Sequence, residues 1–174
     1  MRRILDTLYK LAGAMAALSI LGICLVVSTQ VMLNILARIG GPGWSYTLPS
    51  YADFSGFFLA TATFMALAYT LRAGGHIRVN LLVGALPKGA RWGLELVTLA
   101  LGAGMAGYAT YYTASLLGES YRYGDMSTGI IAIPIWIPQL SMVAGLGLLT
   151  VAFVDTLIEA LLARAPVLVD EGAE

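Results

Sequence analysis

The chain has 174 residues, of which 59% are hydrophobic and only 11% charged, with mean hydropathy +0.81 and a formal net charge of zero. This balance excludes a charge-solvated soluble domain and offers no electrostatic footprint for nucleic acid. The lone cysteine, Cys24, and the lone histidine, His76, are too few for an internal disulfide, a Cys-rich metal centre, haem ligation or an all-protein zinc site.

In chain order, uncharged apolar stretches place membrane spans at about 11–37, 54–72, 95–118 and 130–155. At about 1.5 Å rise per residue each crosses a hydrocarbon core of roughly 30 Å, the second with some interfacial margin. The runs are continuous rather than alternating, which argues against a strand-built pore. Residues 1–174 therefore read as a single all-α domain, an integral membrane four-helix bundle. Arg2-Arg3 ahead of an apolar run invites comparison with a signal peptide. The run far exceeds the h-region of about 7–15 residues, however, so it is expected to be a retained first span. Cys24, mid-span, is expected as a small buried apolar group.

Four spans put both termini on one side. That side holds Arg2, Arg3, Lys10, Arg72, Arg78, Lys88, Arg91 and Arg164, whereas the other holds only Arg38 and Arg122. The positive-inside rule assigns the basic side to the cytoplasm. The first outer loop combines Gly40-Gly41-Pro42-Gly43 with Trp44, Tyr46 and Tyr51, helix breakers beside headgroup-level aromatics. In the middle loop, Ile77, Leu81, Leu82, Ala85 and Leu86 share one helical face before Pro87. This predicts a short cytoplasmic interfacial helix at about 77–86, between spans two and three. The second outer loop is short and polar, Glu119-Ser120-Tyr121-Arg122-Tyr123-Gly124-Asp125.

Function in a membrane bundle is usually marked by ionisable groups at mid-depth. All four apolar cores lack Asp, Glu, Lys, Arg and His. The polar residues are mild, and Gln30 and Asn34, one turn apart, read either as lining a path or as hydrogen-bonding between helices. Small residues are frequent. Gly56 with Ala60, Gly102 with Ala106 and Ala103 with Gly107 stand four apart, as do Gly13 with Ala17 and Ala62 with Ala66. These are candidates for close helix packing, within the chain or onto a partner. Pro134 and Pro138 bracket Trp136, which predicts a kinked or late start to the fourth helix. Asp155 and Glu159, a like-charged i,i+4 pair, are expected at a solvated helix end. Asp53 and Asp125 share the outer side, but their surroundings do not resemble aspartyl peptidase motifs. The only histidine is on the opposite side from the outer-loop serines, so a serine hydrolase has no base. No catalytic, cofactor-binding or metal-ligating residue is assigned.

The stretch Leu71-Arg72-Ala73-Gly74-Gly75-His76-Ile77-Arg78-Val79, with its apolar run closing at Leu86-Pro87, resembles the small membrane subunit (DctQ-like) of TRAP transporters, the tripartite ATP-independent periplasmic transporters. Ser127-Thr128-Gly129 followed by Ile133-Pro134-Ile135-Trp136 is similar too. The likeness extends over about the whole chain. Asn80 stands where the family often has an acidic residue, and Ala144-Gly145 where it usually has Pro-Gly.

The resemblance implies a non-catalytic subunit of the bacterial inner membrane that packs on the scaffold of a large polytopic transport subunit. Such importers take up organic acids with sodium and receive them from a periplasmic substrate-binding protein. It implies cytoplasmic contacts with the partner or with lipid at Arg72, His76, Arg78, Lys88 and Arg91. Periplasmic contacts are implied at Asp53, Glu119, Arg122 and Asp125. The alternatives are a small subunit of another tripartite carboxylate system and an autonomous homo-oligomeric small transporter.

Overall fold

A computed structural model describes residues 2–74 and 87–164. The expected interfacial helix at 77–86, with His76 and Arg78, lies outside the described residues. Four long helices make up almost all of what is described: α1 (Arg2–Gly40), α2 (Tyr51–Arg72), α3 (Lys88–Tyr123) and α4 (Trp136–Ala163). A single 3-10 turn, Pro42–Trp44, follows α1.

Glycine and proline set the ends. Gly41 takes the left-handed conformation (φ 77°) immediately after α1, its N–H bonded to the Ala37 carbonyl. Gly124 (φ 68°) closes α3 in the same way, returning its N–H to the Ser120 carbonyl. Pro87 enters α3 extended, where its missing N–H costs nothing. The fourth helix starts at Trp136, later than the apolar stretch that opens near 130. Residues 125–135 instead fold back in an antiparallel bridge between Met126 and Pro134, and Pro138 falls within the first turn of α4, where proline is tolerated.

The helices stand in a row, in the order α1, α2, α4, α3. α1 packs on α2, α2 on α4, and α4 on α3. Gly13 meets the ring of Tyr69 and Gly22 that of Phe58, so α1 and α2 run antiparallel. Gly102 meets Phe153 and Gly107 meets Thr150, so α3 and α4 are antiparallel too. Between these two hairpins α2 and α4 run parallel: Thr61 faces Ser141, Phe64 faces Gly145, and Arg72 faces Thr156. The start of α1, the ends of α2 and α4 and the start of α3 therefore gather at one end of the molecule. The core is built where the hairpins join, from Ala68, Leu71, Leu146, Leu149 and Ala152, with Tyr9 and Ala106 reaching in from the outer helices.

Three helices, α1, α2 and α4, are long and apolar enough to cross a membrane. α3, expected to carry a span at about 95–118, is long enough at 36 residues, but glycine, threonine and tyrosine dilute it. Cys24 is exposed rather than buried, because α1 stands at the edge of the row with only α2 extensively against it.

Candidate functional site

At the gathered end, Arg72 terminates α2 and crosses to α4. Its Nη1 lies 2.9 Å from a Glu159 carboxylate oxygen, 3.6 Å from one of Asp155, and 3.2 Å from the Thr156 hydroxyl. The like-charged pair expected at a solvated helix end is thus drawn together by a single guanidinium, and all three side chains are largely sheltered. One turn on, Trp92 of α3 donates its indole N–H to the Ala160 carbonyl (2.9 Å). Tyr9 of α1 is 2% exposed beside this cluster, its hydroxyl without a hydrogen-bond partner among the described residues. Sequence reasoning missed Tyr9, Trp92 and the pairing itself, since each depends on which helices become neighbours.

Through the middle, polar side chains are taken up by helices. The hydroxyls of Thr29, Thr63, Thr70 and Thr98 each donate to the carbonyl four residues back. Thr61 and Ser141 approach to 3.1 Å across α2 and α4, and Thr110 and Thr150 to 3.2 Å across α3 and α4. Gln30 is taken up by its own helix and by the loop that follows it. It is buried, donates to the Asn34 side chain, and accepts the Leu48 N–H at 2.9 Å, clamping the first outer loop to its helix.

At the other end, Ser50 holds a left-handed backbone (φ 56°) just before α2, and its hydroxyl accepts the Ile131 N–H at 2.8 Å. Gly129 lies so tightly on Asp53 and Ser50 that a side chain there would collide with both. The 125–135 loop is in this way seated on the start of α2. Gln139 donates to Ser120 at 3.0 Å and ties the ends of α3 and α4.

The predicted contact residues distribute unevenly. Arg72 is committed to α4, and Asp53 packs under Gly129. Glu119, Arg122 and Asp125 are exposed at the end of α3. Lys88 opens α3, with Arg91 half-buried one turn on. Of the packing candidates, Gly102, Ala106 and Gly107 face α4, whereas Gly56 opens on empty space. Ala60 and Ala103 are half-buried. Among the described residues no group of three or more His, Cys, Asp or Glu side chains is placed to hold a metal ion.

Long helices with internally consumed polar groups and widely exposed apolar faces define a helical membrane protein. The chain matches the family of tripartite ATP-independent periplasmic transporters, DctQ component, over residues 23–163, and it belongs to that family. It is a small permease component of a transporter and not an enzyme. Among curated proteins it is 25% identical, over 148 residues, to the ectoine TRAP transporter small permease protein TeaB of Halomonas elongata. That alignment covers 82% of this chain and 72% of the relative. No solved structure matches the chain.

Proposed function

We propose that this chain braces the scaffold of a large TRAP transport subunit in the inner membrane, with both termini cytoplasmic, and takes no part in carrying the solute. The observation that supports this reading is the fate of the polar groups within the spans. The threonines, Gln30 and Asn34 are occupied by helix carbonyls, a loop amide or one another, and no charged side chain stands at mid-depth. The basic bias of the end where the termini gather supports the orientation. The cargo on this reading is a small organic acid moved with sodium by the large subunit after delivery by a periplasmic binding protein. The relative's name carries ectoine for that protein. Arg91 and Lys88 would meet the large subunit's cytoplasmic face or anionic headgroups. On this reading Glu119, Arg122 and Asp125, exposed at the end of α3, would make transient contact with the binding protein.

The test is uptake in proteoliposomes holding the assembled complex, with Gln30 and Asn34 both replaced by alanine. Uptake per assembled complex is expected to equal that of the unsubstituted complex, any loss tracking the amount assembled. Loss of uptake with assembly intact would make these residues part of a path and end the bracing account.

A further inference from the structure

The row of helices has two outer ends, and they are chemically unlike. At one, α1 turns Leu18, Leu21, Leu25 and Met32 outward, a hydrocarbon surface matched to lipid tails. At the other, α3 carries a shallow groove lined by Ala100, Leu101, Gly104, Met105, Tyr108 and Ala109. Gly104 forms its floor, with nothing within 4 Å of where a side chain would begin. Gly93 and Gly118 are equally open, and near-integral numbers of turns separate them from Gly104, so one face of α3 is notched along its length.

Tyrosine is the second, independent feature of this face. Tyr108 is 66% exposed and Tyr111 71%, with Tyr112 packed on both, its ring 4.6 Å from that of Tyr108. Tyr108 stands near the midpoint of the uncharged stretch 96–118, and its neighbours Gly107 and Thr110 meet Thr150 at the middle of α4, a helix long and apolar enough to cross a membrane, which puts Tyr108 near the bilayer centre. Helical side chains tilt toward the helix N-terminus, which draws the hydroxyl no nearer to the outer surface. A tyrosine reaches roughly 6 Å, against about 15 Å from midplane to either headgroup layer. Lipid tails offer a hydroxyl no acceptor, and an unmatched polar group in hydrocarbon is costly. The Tyr108 and Tyr112 hydroxyls interact with one another, and one of their two hydrogens is still left to place. A surface evolved for lipid would be built as α1 is.

We propose that this face of α3 is the docking surface for a membrane-spanning scaffold helix of the large transport subunit. The partner's backbone approaches closely over Gly104 and presents hydrogen-bond acceptors to Tyr108 and Tyr111 at mid-membrane depth. This assignment rests on the bracing role proposed above and names where it is exercised. Open glycines admit a close helix crossing, and hydroxyls give it register.

The experiment co-expresses the full chain with a tagged large subunit and measures how much of the chain is recovered with the tag from mild detergent. Gly104→Leu fills the groove from a position where its Cβ meets nothing within 4 Å, and is expected to cut recovery by about tenfold, one decade of affinity. Tyr108→Phe with Tyr111→Phe keeps the shape, removes both hydroxyls and is expected to cut recovery by about threefold. Leu25→Trp on α1 is expected to leave recovery unchanged. A photo-crosslinking residue in place of Met105, which is 73% exposed, should capture the large subunit. Recovery unaffected by both α3 variants, or capture of only lipid or a second copy of this chain, overturns the assignment. Failure of the unsubstituted chain to be recovered at all would instead remove the small-subunit role on which it rests.

Discussion

Arg72 at the end of α2 and Glu159 in the last turns of α4 meet at 2.9 Å, across the one seam that joins the two helical hairpins. Asp155, one turn earlier, approaches the same guanidinium at 3.6 Å. These helices run parallel, so no short turn holds them together, and the ion pair supplements the apolar packing between them.

Replacing Arg72 by alanine leaves two carboxylates facing each other without their shared cation. The side chains retain 18% to 30% of their exposure, so solvent softens the loss. The expected destabilisation is about 1–3 kcal/mol. Thermal unfolding in detergent should show it, with Arg72→Lys intermediate because the planar fork is lost and the charge kept.

Gly145 is buried against the backbone carbonyl of Phe64, in contact too close for any side chain. Gly145→Ala must push α4 off α2, because a carbonyl on a helix cannot swing away as a flexible side chain can. A loss of about 1–3 kcal/mol or more is expected. Gly102→Ala should cost less, since its obstacle is the ring of Phe153, which can turn aside. Comparing the two melting temperatures tests whether the α2–α4 seam is the less forgiving one.

Gly129→Ala sets a methyl group against the Asp53 carboxylate and Ser50 hydroxyl. The 125–135 loop should lift from the start of α2 and lose the Ile131 N–H bond to Ser50. Hydrogen exchange at Ile131 and Ile133 is the measurement, with faster exchange there and little change in the middle of α4.

Trp92→Phe keeps the ring packing and removes the N–H that reaches the Ala160 carbonyl. About 1 kcal/mol of stability should go with it. Combined with Arg72→Ala, it should show non-additivity, because both residues brace the same end of α4.

The helices were legible because long uncharged runs admit no other structure in a bilayer, and the left-handed Gly41 that ends α1 lies where glycine was read as a breaker. Two misjudgements share a cause. Asp155 and Glu159 looked solvated because sequence shows a residue's neighbours on its own helix only. The cation that gathers them lies 83 and 87 positions away on a parallel helix. Gln30 was read as lining a path or bonding between helices, and in place of a second helix it meets Asn34 on its own helix and a loop amide whose position depends on how 41–50 folds back. The small-residue spacing identified Gly102 and Gly107 at the α3–α4 seam but not that Gly56 opens on empty space, since spacing alone does not say which face is covered.

The central claim is that this chain is an accessory to a larger carrier, and isolation from native membranes tests it most directly. The chain, tagged and extracted in mild detergent, is predicted to bring down a large polytopic membrane protein in fixed stoichiometry, identified by mass spectrometry. Recovery alone or as a homo-oligomer in several detergents would contradict the account and favour a small transporter acting by itself.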